Sequence, residues 1–275
     1  MKDWFSYDFM RMAFAAVLLI TPLFGVMGTL VVDNQLAFFS DALGHSALTG
    51  VALGVLLGIP DPTVSMVLFG LLFAYLLVRI QRSSAASNET LISVLSSTAI
   101  ALGLALLSRS GQFAKFSAYL IGDILAIRPG DLTVLIFVFL LVGLFWALFY
   151  NQLLAMSVNR LMAATRGVHT RLLQTAFLLL TALVVTVSIR WVGILVINSL
   201  LILPAAAARN IARNVRQYHG LSVLFSLSSG MIGLLLSWEM NISSGPAIVL
   251  AGAVFFFTTF LLSRRRTANG RPCKH

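Results

Sequence analysis

An all-α, polytopic membrane bundle of eight or nine spanning helices is predicted by three observations. Of 275 residues, 59% are hydrophobic and only 10% charged, whereas a soluble domain carries about 25% charged residues. The mean hydropathy is +0.96. Most charged residues sit between or at the ends of apolar runs of roughly 20 residues, the length at which a helix crosses a hydrocarbon core of about 30 Å. The net charge of +10 does not indicate a nucleic-acid partner, because the basic residues form short clusters flanking apolar runs, which is the positive-inside pattern of a membrane protein. A lone cysteine, Cys273, excludes an intramolecular disulfide framework and a thiolate metal cluster.

Nine windows are long and apolar enough to span: 10–32, 36–59, 62–80, 90–108, 131–150, 171–188, 191–208, 219–238 and 245–263. They form one transmembrane domain over 10–263, preceded by an N-terminal segment, 1–9, and followed by a basic tail, 264–275. Residues 1–11 contain Lys2, Asp3, Asp8 and Arg11 ahead of a full-length span, so no cleavable signal peptide is expected. With nine spans, thirteen of the nineteen Lys and Arg residues share one side, including Arg79, Arg82, Arg160, Arg166, Arg171 and the 264–274 cluster. That side is expected to be cytoplasmic, with the C-terminus inside and the N-terminus outside.

The second window is the unusual one. The run DALGHSALTGVALGVLLG, residues 41–58, places a carboxylate and an imidazole four residues apart within an apolar span. At helical periodicity Asp41, His45 and Thr49 stack on one face, while Ala42, Ser46, Gly50, Gly54 and Gly58 form a small-residue stripe. From a start near Leu36, His45 lies about 14 Å along a helix of about 36 Å, with Asp41 one turn nearer the cytoplasm. Ionisable residues in a span cost roughly 2.5 kcal/mol or more and generally face an interior or a water-filled path. Two readings fit: a cation pathway, or an interfacial Asp with a structural His. Imidazole with carboxylate suits Zn²⁺ or Mn²⁺ better than an alkali ion. Two ligands do not complete a coordination shell, so waters, backbone carbonyls or a second copy of the chain would supply the rest.

Between the fourth and fifth windows, FSAYLIGDILAIRPGDL is apolar but too short to cross, and reads as a re-entrant or interfacial helix. Its Asp123 either lines an entrance or caps a helix. Residues 151–170, NQLLAMSVNRLMAATRGVHT, read as a short amphipathic helix broken at Gly167, lying on the membrane or docking into a partner. The seventh window is the least certain: Arg190 and Trp191 precede it and Pro204 lies near its end, so it reads as a broken helix or a short crossing. No G-x-x-x-x-G-K-[ST], H-E-x-x-H or G-x-S-x-G occurs, so the chain carries no ATPase or familiar hydrolase motif of its own.

Three of these stretches, FFSDALGHSALTGVALG, AYLIGDILAIRPGDL and VGILVINSLLILPAAAAR, resemble the membrane permease subunit of ABC importers for zinc and manganese, the ABC-3 family. The resemblance covers about residues 10–262, and GDILAIRPGDL is closer to zinc-type members. It implies a type II importer-like fold and a substrate path in which Asp41 and His45 contact the metal, with Asp123 as a further candidate. It places Asn159, Arg160 and Gly167 where such permeases meet their ATPase. The implied assembly is a homodimer in the cytoplasmic membrane, on two cytosolic ABC ATPase subunits and fed by an extracytoplasmic metal-binding protein. No resident cofactor is implied; the metal is cargo. A gradient-driven secondary transporter also fits an intramembrane Asp and His. A siderophore or cobalamin permease would need a wider path than this small-residue seam suggests.

Overall fold

The computed structural model describes residues 7–83, 86–110, 122, 124–158 and 160–268. Among these residues there are ten α-helices, one short 3-10 turn and no strand. The helices are α1 (Asp8–Asp33), α2 (Ala37–Leu56), α3 (Pro62–Ser83), α4 (Asn88–Ser110), α5 (Pro129–Val158), α6 (Arg160–Thr165), α7 (Thr170–Val192), α8 (Ile194–Ile211), α9 (Val215–Met240) and α10 (Ser244–Ala268). The 3-10 turn is Ile124–Ala126. All but α6 are long and apolar enough to cross a membrane, one for each sequence window.

Local chemistry explains most of the boundaries. At the end of α2 the Gly58 N–H bonds to the Val55 carbonyl and the Ile59 N–H to the Gly54 carbonyl, with Gly58 at φ 71°. This is a Schellman stop that glycine adopts without steric penalty. Gly58 is therefore a terminator, correcting its place in the packing stripe, and no atom lies within 4 Å of where its Cβ would be. Three residues on, the Asp61 carboxylate accepts from the Thr63 N–H at 2.8 Å and Pro62 opens α3, an N-cap followed by proline at the first helical position. The same logic starts α5, where Asp131 reaches back to the Arg128 N–H at 3.1 Å.

Three boundaries differ from the sequence expectation. Arg190, Trp191 and Val192 belong to α7, and the break falls at Gly193 with φ 81°. Next, α8 runs unbroken through Pro204 and, at 18 residues, is the shortest of the long helices, about 27 Å. Finally, α5 continues eight residues past Tyr150 to Val158, so the expected amphipathic connection is split between that extension and the six-residue α6.

The described chain groups into two compact units. The first holds α1, the 3-10 turn, the start of α5, α8 from Leu195, α9 and α10. Here α9 lies along α1 by means of small residues: a Cβ on Gly25 would come within 2.8 Å of the Val223 backbone, and one on Gly28 would overlap the Leu201 carbonyl of α8. Ser222 and Ser226 each donate to an α1 carbonyl, those of Gly25 and Thr21, at 2.7 Å. The second unit holds α2, α3, α4, the rest of α5, α6 and α7. Its centre is α2, which packs on α3, α4 and α7. Gly50 meets Phe69 and Met66 of α3, with Gly54 against Ser65, as close helix approach in lipid requires.

Candidate functional site

On α2 most of the surface is consumed by packing: Phe39, Ser40, Leu43, Gly44, Ser46, Ala47 and Val51 are all buried. Asp41 and His45 are not. The Asp41 Oδ1 and His45 Nε2 atoms stand 3.7 Å apart across one helical turn, with side chains 53% and 46% exposed respectively. The helix begins at Ala37, so His45 lies about 12 Å along a helix of about 30 Å, still inside an apolar span. Two polar groups are thus presented on an open face of the most packed helix of its unit.

That face borders a cleft of about 290 Å³ between α2 and α4. Phe38 and Asp41 form one wall; Glu89, Ser93, Ser96 and Ser97 of α4 form the other. Ser96 Oγ lies 3.5 Å from the Ala42 carbonyl and ties the walls together. The α4 wall escaped the sequence reading, although a signal was present: residues 89, 93, 96 and 97 fall at helical spacing in an apolar segment. The cleft offers oxygen ligands of two kinds, carboxylate and hydroxyl, and the His45 imidazole stands one helical turn from its Asp41 edge without lining it. Such a set suits a divalent cation. Among the described residues no three His, Cys, Asp or Glu side chains come together as a complete metal cage.

Thr49 departs from the predicted polar line. It is buried, and its hydroxyl donates to the Ala99 carbonyl of α4 at 2.6 Å. A Cβ on Gly103 would overlap its side chain, so Thr49 fixes the α2–α4 contact rather than extending the Asp41 and His45 pair. Asp123 and Asn159 lie outside the described residues. Arg160 opens α6, and Gly167 closes the turn after it with φ 81°. Because nothing lies within 4 Å of a Cβ there, Gly167 is needed for backbone conformation and not for space. Beside this turn, Phe145, Phe149, Gln152, Arg166 and Leu172 border a second cavity of about 490 Å³. The structure does not bring this turn and the Asp41–His45 pair into one site: they lie on different segments of the unit, and the turn and Asp41 border separate cavities.

A further histidine sits in the first unit, in a different setting. His219 of α9 is 7% exposed, and its Nδ1 is 2.8 Å from Thr29 Oγ1. Nearby, Arg209 approaches Asp33 at 3.9 Å, and the Tyr218 hydroxyl donates to the Thr29 carbonyl at 3.5 Å. These residues join the ends of α1, α8 and α9, a polar clamp that sequence periodicity did not reveal.

Residues 6–263 match the ABC 3 transport family. The chain is 33% identical to the high-affinity zinc uptake system membrane protein ZnuB of Haemophilus influenzae, covering 87% of this chain and 92% of that protein. It is 29% identical to the manganese transport system membrane protein MntC of Listeria innocua, with 95% and 93% covered. A solved structure, PsaBC from Streptococcus pneumoniae in complex with Fab, has a chain that superposes with a TM-score of 0.83 at 28% identity over 96% of each chain. The match extends over nearly the whole chain and includes all nine long apolar helices: this protein belongs to the ABC 3 transport family.

Proposed function

We propose that the chain is the permease of an ABC importer that passes a divalent metal ion, Zn²⁺ in preference to Mn²⁺, into the cytoplasm. The observation that carries this reading is the half-exposed Asp41–His45 pair on a membrane-length helix. A carboxylate and an imidazole left open inside a span need either water, an ion or a second protein surface to cover them. The open face is the expected place for a second copy of the chain, which would bring a second Asp41 and His45 to complete the coordination of an ion in transit. A neutral imidazole beside a carboxylate replaces hydration at about 2.0–2.2 Å for Zn²⁺, and a two-ligand set from one copy favours release.

Zinc is put ahead of manganese because of the GDILAIRPGDL stretch and the imidazole ligand. The work is done by a cytosolic ABC ATPase that docks at the α6–Gly167 turn, and an extracytoplasmic metal-binding protein delivers the ion. The basic clusters set the orientation in the cytoplasmic membrane, C-terminus inside. Reconstitution tests this reading. Proteoliposomes containing the chain and its ATPase take up Zn²⁺ only with ATP, and excess Mn²⁺ competes less well than excess Zn²⁺. Uptake by the chain alone, driven by a proton or sodium gradient, would instead identify a secondary transporter.

A further inference from the structure

At the arginine-rich end of the second unit lies a cavity of about 380 Å³ unrelated to the Asp41 cleft. Gln81 and Arg82 from the last turn of α3, Asn88 from the first turn of α4, and Thr170, Arg171 and Gln174 from the first turns of α7 line it. Among the described residues no carboxylate does; Glu89, next to Asn88, borders the Asp41 cleft instead. Neither guanidinium is ion-paired with a described carboxylate. Arg82 Nη2 donates to Thr175 Oγ1 at 3.1 Å, and that hydroxyl donates to the Arg171 carbonyl at 2.7 Å, so Arg82 is held at the rim. Gln81 Nε2 is shielded from solvent and has no acceptor. The cap residue of α7, His169, makes no side-chain cap bond; the Thr170 N–H bonds to the Val168 carbonyl at 2.8 Å, and the positive end of the helix dipole lies at this end of the unit.

Every strong feature here is a donor or a positive charge, so the complementary ligand is an acceptor-rich anion such as a phosphate. The apolar surroundings choose its source. Leu68 and Tyr75 are exposed on the side of α3 that carries Arg82, at seven-residue spacing from one another and from Arg82. An acyl chain can lie along that row while its headgroup reaches the guanidiniums, and basic residues at this end match an anionic leaflet. We propose that this cavity binds the phosphodiester of an anionic phospholipid, which bridges the ends of α3, α4 and α7.

Native mass spectrometry of the full chain in detergent tests this, by titration with phosphatidylglycerol and with phosphatidylcholine of the same acyl chains. The wild type should bind one phosphatidylglycerol roughly tenfold more tightly than phosphatidylcholine. Arg82→Ala with Arg171→Ala should abolish the preference, and Gln81→Leu should reduce it about threefold. Arg79→Ala should leave it intact, because Arg79 is held by the Tyr75 hydroxyl at 3.0 Å and does not line the cavity. Arg82→Lys with Arg171→Lys keeps the charge and should keep part of the preference, which guards against a misfolded double alanine variant. Equal lipid preference in wild type and in folded Gln81→Leu and double variants would overturn the proposal. So would displacement of the lipid by inorganic phosphate at concentrations of about 1 mM, since the occupant would then be a soluble anion.

Discussion

The interface of α1 with α9 and that of α2 with α4 are built from the same residue types and reach opposite ends. Both use glycines, serines and a histidine within apolar spans. Along α9, Ser222, Ser226 and Ser229 are fully buried and each hydroxyl donates to a carbonyl at 2.7 Å; His219 is covered and bonded to Thr29. Along α2 the seam itself is sealed at Thr49 and Ser96, yet one turn away Asp41 and His45 stay about half exposed beside a cleft. A polar group in a span is therefore no sign of a pathway by itself. When it is buried against a neighbouring backbone, it is cement; where its side chain stays exposed to a cleft, a ligand can reach it.

Substitutions can break this contrast. The largest stability effect is expected at the closed interface with Gly25→Val, since a Cβ there would come within 2.8 Å of the Val223 backbone of α9. Backbone displacement should cost about 3 kcal/mol, measured as a fall in the thermal unfolding midpoint of the detergent-solubilised protein. Next, His219→Ala should lower stability by about 1–2 kcal/mol by leaving the Thr29 hydroxyl without its ring partner, while metal uptake per folded molecule stays near wild type. A large uptake loss at unchanged stability would place His219 on the path and dissolve the contrast. Ser222→Ala and Ser226→Ala should each cost about 0.6 kcal/mol, the usual size of an interhelical hydrogen bond in a membrane, seen as small additive shifts in the same unfolding assay. The smallest effect is expected from Glu89→Gln across the cleft. It should slow uptake roughly twofold through lost attraction for the cation, about 0.4 kcal/mol, without changing the unfolding midpoint.

Much of this was legible in the sequence because lipid imposes a simple rule: each span must be apolar and about 20 residues long. All nine spans followed from that rule. The Asp41–His45 pair was legible for the complementary reason, as charge-bearing groups in an apolar run four residues apart. The errors have local causes. Arg190 and Trp191 look like a loop by polarity, but helix α7 ends only where Gly193 supplies a positive φ. Pro204 suggested a break, yet α8 continues through it, flanked by buried Ala205, Ala207 and Ala208. Gly58 shares the spacing of the packing glycines but ends the helix instead. What the sequence hid was pairing between distant segments. Glu89 and the α4 serines join Asp41 only because α2 packs on α4, and Thr49 leaves the polar line for the Ala99 carbonyl for the same reason. The clamp of Asp33, Arg209 and Tyr218 likewise joins three helices far apart in the chain.

The most direct measurement is ATP-driven Zn²⁺ uptake by proteoliposomes containing Asp41→Ala or His45→Ala chains with the ATPase, alongside His219→Ala. The account predicts that each α2 variant unfolds at the wild-type temperature but loses at least tenfold in uptake, the cost of about 1.4 kcal/mol or more at the ion's least hydrated position. Wild-type uptake by both α2 variants at normal protein levels would contradict it, and would return Asp41 and His45 to the same structural role that His219 plays.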